Sequence, residues 1–113
     1  MIVYVDVDET LISNAGSEQQ PIPDVVAHLR RIHADGVKLY CWSAGGAEYA
    51  RKCAALAGVE ELFETFLPKP RAMIDDTYVT DWPFCVAVHP RWCTGRSWND
   101  YLDPLLETGV LNG

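Results

Sequence analysis

The sequence predicts an α/β fold built on a mainly parallel sheet. Segments with the signals of strands alternate with segments whose apolar residues have helical spacing. The expected strands are apolar along their whole length, which is typical of strands that are covered on both faces. Together these observations predict a Rossmann-like three-layer sandwich with a five-stranded sheet and right-handed crossovers.

The first two strands are expected at residues 2–7 and 37–42, because both segments are apolar and contain β-branched and aromatic side chains. A polar loop, residues 13–20, follows the first strand. The helix between the two strands is expected to open at Pro21–Asp24 and to end at Gly36. Proline is common in a first helical turn, and glycine is common after a last one.

The second half of the chain is expected to contain further short elements. A second helix, residues 47–57, follows a glycine-rich turn, and a short helical turn is expected at residues 59–66. A last helix is expected to begin at Ser97, which has the character of an N-cap residue. Three further strands are expected, at residues 66–67, 71–74 and 84–88.

Composition excludes some classes of protein. The chain has 113 residues, which suits one domain, and a formal net charge of -7. An acidic protein is poorly suited to non-specific binding of nucleic acid or of anionic membranes. No apolar run is long enough to span a bilayer and no signal peptide is recognisable, so we expect a cytoplasmic protein.

The four cysteines are expected to be mostly structural, reduced thiols, since none forms a C-x-x-C pair. Cys85, His89 and Cys93 recur at four-residue intervals. A zinc site there lacks a fourth ligand, and Pro90 would interrupt a helix that aligned the three. Packing is therefore the favoured role of these side chains.

Reactive side chains follow the predicted strands at the points where the strands end. They are Asp6, Asp8 and Thr10 at the end of the first strand, Ser43 after the second, Lys69 after the third, and Asp75 and Asp76 after the fourth. Parallel strands end at one rim of a sheet, and ligands of such sheets bind there. The sequence therefore predicts one site assembled from distant segments.

This set of side chains suits phosphoryl transfer. Several carboxylates at one point repel one another, and a hard cation such as Mg²⁺, which takes oxygen ligands, removes that repulsion. One carboxylate can attack phosphorus, while a second can protonate the leaving oxygen and then activate water. A hydroxyl, a lysine and backbone N–H groups would bind the phosphate oxygens.

The order of the motifs resembles that of the haloacid dehalogenase (HAD) superfamily of aspartate-nucleophile phosphotransferases. The segments that carry the resemblance are DVDETL, LYCWSAGG, KP and MIDD, and they lie between residues 2 and 76. The resemblance implies a Mg²⁺-dependent phosphatase that works through an aspartyl-phosphate intermediate. Its substrate would be a phosphorylated small molecule or macromolecule.

The resemblance also implies a role for each residue of the motifs. Asp6 would be the nucleophile and a metal ligand. Asp8 would be the acid/base, and its main-chain carbonyl would bind the metal. Lys69 would neutralise the nucleophile and the phosphoryl group, and Thr10 would brace the first loop. The phosphate-binding residues would be Thr10, Ser43, Ala44 and Lys69.

The fourth motif leaves an alternative open. Asp75 and Asp76 would complete the metal site. The spacing from Asp76 to Asp81 also resembles a longer variant of that motif, in which Asp81 replaces one of the pair.

Two features depart from the usual pattern of the superfamily. Residues 12–20 hold only a flap-sized loop, and residues 58–68 hold at most one helical turn, so we expect one HAD-like domain, residues 1–113, without a sizeable cap. The segment 77–83 is also too short for a full crossover helix. Either the last strands connect irregularly or the fifth strand is misplaced.

Two other classes of protein share some of these features. A phospho-accepting receiver module has an acidic cluster, a hydroxyl and a lysine, but its acceptor aspartate follows a middle strand and its lysine comes near the end. A non-catalytic binding protein of the same fold is the other alternative. Every expected catalytic position is filled, so the sequence gives no support to the second alternative.

A site without a cap needs another means of excluding water. Either a large phosphorylated substrate covers it or a second subunit does, which would make the protein a homo-oligomer. Trp82, Trp92 and Trp98 offer apolar surface for such an interface.

Overall fold

The computed structural model describes residues 1–95 and 99–100 and contains strands and helices in alternation. The elements are β1 (Ile2–Val5), β2 (Ile12–Ser13), β3 (Gln20–Pro21), α1 (Pro23–Ala34), β4 (Lys38–Ser43), α2 (Ala47–Leu56) and β5 (Phe63–Pro68). Strands β1, β4 and β5 form a parallel sheet in which β4 is central, and β2 pairs with β3 in a separate two-stranded ladder. The predicted α/β class with a parallel sheet is confirmed.

Helix α1 forms where the sequence predicts it, between β1 and β4. Pro23 occupies the first turn, where its missing N–H removes no hydrogen bond. Val25, Leu29 and Ile32 recur at helical spacing and are all buried. The helix ends before Gly36, whose φ of 92° is a backbone conformation that favours glycine.

Both helices pack in one core on a single face of the sheet. Leu39 and Cys41 of β4 are fully buried against that core, which also contains Leu29 of α1 and Ala54 of α2. The two connections, β1 to β4 and β4 to β5, step across the sheet in the same direction. Right-handed crossovers in one direction place their helices on the same face.

The other face of the sheet carries aromatic side chains. Tyr4 stacks on Tyr40 with ring centroids 5.4 Å apart and meets Trp42 edge-on at 4.8 Å. Tyr4 is 47% exposed. The described residues therefore form two layers, and the predicted second layer of helices is not found among them.

The expectation of a five-stranded sheet is wrong, because the sheet has three strands within residues 1–95 and 99–100. Residues 71–74 and 84–88 run irregularly, and only short 3-10 turns, Val79–Asp81 and Pro90–Cys93, interrupt this course. Proline lacks the N–H that a sheet requires. Prolines at positions 68 and 70 precede the first segment, and prolines at positions 83 and 90 flank the second. The expected helix start at Ser97 lies outside the described residues.

Strand β5 is longer than predicted. The segment that was expected to be a helical turn forms a 3-10 turn only at Glu60–Leu62, and the strand begins at Phe63. The register slips at this point, because Leu39 pairs with Phe63 whereas Tyr40 pairs with Thr65. The slip is a β-bulge, which leaves one extra residue in β5.

The insertion between β1 and α1 is a small hairpin, which we call the flap (Ile12–Pro21). Ile12 pairs with Pro21 and Ser13 with Gln20, and a six-residue loop joins them. Between α2 and β5 the chain makes only the 3-10 turn. Neither connection contains a folded cap. Across the part of the chain that is described, no helix is long and apolar enough to cross a membrane.

Candidate active site

The carboxyl ends of the three parallel strands meet at one rim of the sheet. Asp6 directly follows β1, Ser43 is the last residue of β4, and Lys69 directly follows β5. The backbone N–H of Lys69 donates to the carbonyl of Ser43 at 2.9 Å, which joins the loops after β4 and β5. Residues that are distant in sequence are therefore neighbours at this rim.

A tight turn fixes the loop after β1. Three backbone N–H groups, those of Thr10, Leu11 and Ile12, donate to the carbonyl of Val7 at 3.2, 2.9 and 3.0 Å. Glu9 has a φ of 57°, which is uncommon for a residue other than glycine. Val7, Leu11 and Ile12 are fully buried and anchor this turn in the core.

The Asp6 carboxylate has a partner on each oxygen. The Lys69 ammonium lies 3.2 Å from Asp6 Oδ1, and the Thr10 hydroxyl donates to Asp6 Oδ2 at 3.2 Å. The two charged side chains are about one-third exposed, 35% for Asp6 and 39% for Lys69. The ring of Trp42 lies beneath Lys69, with Nζ 6.0 Å from its centroid. The rim therefore presents a carboxylate of defined orientation that solvent can still reach.

The turn after β4 shapes a short run of backbone N–H groups. Ser43 is buried, and its Oγ accepts a hydrogen bond from the N–H of Gly45 at 3.0 Å. Its carbonyl accepts from the N–H of Gly46, whose φ is 103°. Ala44 is exposed, and among the residues that the structure describes its N–H has no acceptor. Ser43 thus stabilises the turn, and Ala44 supplies an open donor.

The Asp8 carboxylate faces the flap and helix α2. The Tyr49 hydroxyl donates to Asp8 Oδ1 at 2.6 Å, and Asn14 Nδ2 donates to the same oxygen at 3.0 Å. Gln19 Nε2 donates both to the Tyr49 hydroxyl at 3.0 Å and to Asn14 Oδ1 at 2.9 Å. The donation to Asp8 raises the pKa of Tyr49 to about 12.

The sequence did not indicate the side chains of Asn14, Gln19 and Tyr49 as part of the site. Tyr49 lies in the first turn of α2, just after the glycine-rich turn. A Cβ at Gly45 would stand 2.9 Å from Tyr49 Cδ2, so Gly45 leaves space for the ring. This glycine is the one signal in the sequence, and it does not identify its partner.

The fourth motif is not brought to the rim as a metal cluster. Asp75 Oδ1 accepts from the N–H of Thr77 at 2.9 Å, and Asp76 Oδ1 lies 3.4 Å from the Thr77 hydroxyl. Both aspartates are exposed, as is Asp81. Within residues 1–95 and 99–100, no three His, Cys, Asp or Glu side chains are grouped so that they could hold a metal ion.

All four cysteines are free thiols, and three of them are buried. Burial raises the pKa of Cys41 to about 12, and burial also raises that of Cys53. Cys93 is buried whereas Cys85 is exposed, and His89 Nδ1 accepts from the N–H of Arg91. These contacts suit packing and turn formation at the Cys85–Cys93 segment.

Comparison with known proteins identifies the fold alone. No family model matches the chain, and no curated protein matches it. The chain is similar to the crystal structure of an MCSG target from Vibrio cholerae, with a TM-score of 0.60 and 20% sequence identity. The similarity covers 94% of this chain and 97% of the other.

Proposed function

We propose that the protein is a Mg²⁺-dependent phosphatase of the HAD type, in which Asp6 is the nucleophile. The observation that carries this proposal is the placement of the Asp6 carboxylate. It stands at the rim between a lysine and a hydroxyl, and beside it the turn after β4 offers the open N–H of Ala44. A carboxylate nucleophile for phosphorus needs such cationic and hydrogen-bonding groups around it.

The first chemical step forms the phosphorylated enzyme. A carboxylate oxygen of Asp6 attacks phosphorus, an O–P bond forms, and the bond from phosphorus to the leaving oxygen breaks. Asp8 gives its proton to that oxygen, so the product leaves as an alcohol. Thr10 and Lys69 hold the carboxylate of Asp6 in one orientation throughout.

The second step returns the enzyme to its starting state. Water attacks phosphorus and transfers a proton to the carboxylate of Asp8, and the bond between phosphorus and Asp6 breaks. Inorganic phosphate is released, and Asp8 is again protonated for the next turnover. The Lys69 ammonium, the Ala44 N–H and the Ser43 turn would bind the phosphoryl oxygens as their charge develops in both steps.

The donors at the rim have the chemistry of a magnesium site. Carboxylate and carbonyl oxygens are the ligands that Mg²⁺ prefers, and Asp6 and Asp8 supply both. A further carboxylate from Asp75, Asp76 or Asp81 would complete the set. When bound, the ion would neutralise phosphate charge. These three aspartates lie on one exposed segment.

The exposure of the rim supports a bulky phosphorylated substrate. Asp6 and Lys69 are about one-third exposed, and the flap is the only insertion beside them in the described part of the chain. A phosphate carried by a macromolecule would itself cover the rim, and a second subunit is the other means. A substrate panel combined with analytical ultracentrifugation distinguishes these two. We place the protein in the cytoplasm, which the four free thiols support.

The proposal is tested by following both turnover and the covalent intermediate. We expect the wild type to hydrolyse 4-nitrophenyl phosphate with Mg²⁺ and to lose this activity in excess chelator. Asp6→Asn should abolish turnover, because an amide is a far weaker nucleophile than a carboxylate. After rapid acid quench, mass spectrometry should find phosphate on the peptide that contains Asp6.

Asp35→Asn is the matched control, since it makes the same chemical change at the C-cap of α1, at the opposite end of the sheet. It should keep wild-type activity. Turnover at the wild-type rate by Asp6→Asn, or full activity of the wild type in chelator, would refute the proposal.

A further inference from the structure

We propose that Tyr49 is a positioning residue for Asp8, and that it acts by closing a ring of hydrogen bonds that also includes the flap. The inference rests on the proposed function, in which Asp8 protonates the leaving oxygen. It adds two elements to the site, the first turn of α2 and the loop of the flap.

The ring joins four side chains from three segments. Tyr49 and Asn14 each donate to Asp8 Oδ1, at 2.6 and 3.0 Å. Gln19 donates to Tyr49 and to Asn14, at 3.0 and 2.9 Å, and so closes the ring. Each donated hydrogen has one acceptor in this arrangement, because the two hydrogens of Gln19 Nε2 go to different oxygens. Asn14 is further held by its backbone N–H, which donates to Glu9 Oε1 at 2.8 Å.

The backbone is shaped to accept the Tyr49 ring at this place. The ring passes so close to Gly45 that a Cβ there would stand 2.9 Å from Cδ2 and 3.2 Å from Cγ. The same Cβ would stand 3.4 Å from Ser43 Oγ. Tyr49 therefore lies directly over the turn that offers the Ala44 N–H. A side chain at position 45 would force this ring to shift, so Gly45 leaves the space in which the Tyr49 hydroxyl reaches Asp8.

The two hydrogen bonds that Asp8 Oδ1 accepts determine which oxygen of the Asp8 carboxyl group carries the acidic proton. Oδ1 accepts hydrogen bonds from both Tyr49 and Asn14, and in the described residues Oδ2 has no hydrogen-bond partner. An oxygen that accepts two strong hydrogen bonds is the poorer place for the acidic proton. Oδ2 is therefore the atom left to transfer a proton to the leaving oxygen. Without Tyr49, Oδ1 would keep only the hydrogen bond from Asn14, and the carboxylate could more easily rotate and exchange its two oxygens.

The same ring restrains the flap. The loop of the flap is attached to the rest of the molecule by the side chains of Asn14 and Gln19, which donate to Asp8 and Tyr49. The backbone N–H of Asn14 adds a third attachment, because it donates to Glu9. The Tyr49 hydroxyl is the only group of the ring that belongs to α2. Its removal should loosen the loop at Gln19 while the helix, whose buried residues are Ala50, Cys53 and Ala54, remains packed.

The test uses the variant Tyr49→Phe, which removes the hydroxyl and keeps the ring. Two substrates separate positioning from general damage. An alkyl phosphate needs an acid to protonate its leaving oxygen, whereas 2,4-dinitrophenyl phosphate does not. We expect kcat/KM for the alkyl ester to fall about tenfold, the factor expected for one hydrogen bond to a carboxylate. The value for the dinitrophenyl ester should change less than about twofold.

Tyr40→Phe is the matched control, because it removes the same atom on the open face of the sheet. Gln19→Leu, which breaks the ring without touching Asp8, should show a smaller loss with the same substrate pattern. A second readout needs no turnover: backbone ¹⁵N order parameters of residues 14–19 should fall in Tyr49→Phe and stay unchanged in Tyr40→Phe.

The outcomes separate the two proposals. Equal losses of kcat/KM on both esters would overturn the positioning role, since general damage affects both. Unchanged order parameters in Tyr49→Phe would overturn the ring as a restraint on the flap, whatever the activity. Absence of hydrolysis of either ester by the wild type would refute the proposed function, while a loosened flap in Tyr49→Phe would still support the ring.

Discussion

The Lys69 ammonium lies 3.2 Å from Asp6 Oδ1, although the two residues come from loops at opposite edges of the sheet. A contact between side chains that are each about one-third exposed adds little to folding stability, on the order of 0–1 kcal/mol. We therefore propose a chemical role for this contact. In the proposed reaction the ammonium offsets the charge of the nucleophile and of the phosphoryl group.

The substitution Lys69→Met should therefore affect turnover far more than it affects folding stability. The free energy of unfolding should change by less than about 1 kcal/mol, since the ion pair is partly exposed. Turnover of an aryl phosphate should fall by about 10²–10³-fold, the range for loss of one group that stabilises transition-state charge. Urea titration and steady-state kinetics measure the two quantities on one sample.

Lys52→Met is the control for Lys69→Met, because Lys52 is an exposed residue of α2. It should change neither quantity. If Lys69→Met kept wild-type kinetics, Lys69 would have no part in the reaction, and its contact with Asp6 would be incidental.

Asp8→Asn should impair the two chemical steps unequally. With an activated aryl ester, the transfer of phosphate to Asp6 needs no acid, but hydrolysis of the phosphoenzyme still needs a base. Turnover should fall by about 10²–10⁴-fold, and phosphorylated enzyme should accumulate. Rapid quench and mass spectrometry of the Asp6 peptide measure this accumulation. A variant that is slow but carries no more phosphate than the wild type would contradict the assignment of Asp8 as the base.

The meeting of the first three motifs at one rim could be predicted from the sequence. Parallel strands must end at the same edge, so the residues after β1, β4 and β5 are neighbours once those strands are recognised. The helices could be predicted for a similar reason. Their apolar residues recur at the spacing of a helix, and Pro23 and Gly36 mark the two ends of α1.

Strand β5 could not be predicted at its full length because a bulge interrupts the alternation of buried and exposed residues that is typical of a strand. Phe63 and Phe66 are both buried, a spacing of three that is typical of a helix rather than of a strand. The register slip opposite Leu39 and Tyr40 brings both rings to the same face. Strands at 71–74 and 84–88 were predicted from apolar runs alone, and those runs are bounded by prolines.

The side chains around Asp8 could not be predicted because their meeting depends on tertiary contacts. Asn14 and Gln19 occupy a polar loop, where such residues usually face water. Tyr49 is a partly buried aromatic residue of α2, and its place in the sequence does not indicate a contact with Asp8. Only the fold of the flap against α2 brings the three together.

The metal ligands can be assigned by substitution of the three aspartates that follow β5. We expect Asp75→Asn and Asp76→Asn each to raise the Mg²⁺ concentration for half-maximal activity by at least about tenfold, because each would remove one proposed negative oxygen ligand. Asp81→Asn should leave it unchanged. Activity measured across a Mg²⁺ titration gives the three values, and Asp35→Asn is the control. If only Asp81→Asn raised the Mg²⁺ requirement, Asp81 would be assigned as the metal ligand in place of Asp75 and Asp76.

Alkaline pH should destabilise the protein through its buried thiols. Burial raises the pKa of Cys41 from an ordinary value of 9.0 to about 12. Below pH 9 the thiol keeps its proton in both the folded and the unfolded chain, so its contribution to the free energy of unfolding does not vary. Above that pH the unfolded chain releases the proton while the folded chain retains it. The unfolded state is then favoured, and stability falls as pH rises toward 12.

Cys41→Ala should reduce this dependence on pH. Urea titrations at several values between about pH 8 and pH 11 measure the slope, to which one thiol contributes at most about 1.4 kcal/mol per pH unit. The variant will be less stable at every pH, since it removes a fully buried sulfur atom, but its slope should be shallower than that of the wild type. Cys85→Ala, at an exposed thiol, should keep the wild-type slope.

Because the raised pKa of Tyr49 acts in the same direction, Cys41→Ala should retain part of the slope, and Tyr49→Phe should remove a further part. Parallel slopes for Cys41→Ala and the wild type would show that Cys41 has an ordinary pKa in the folded protein.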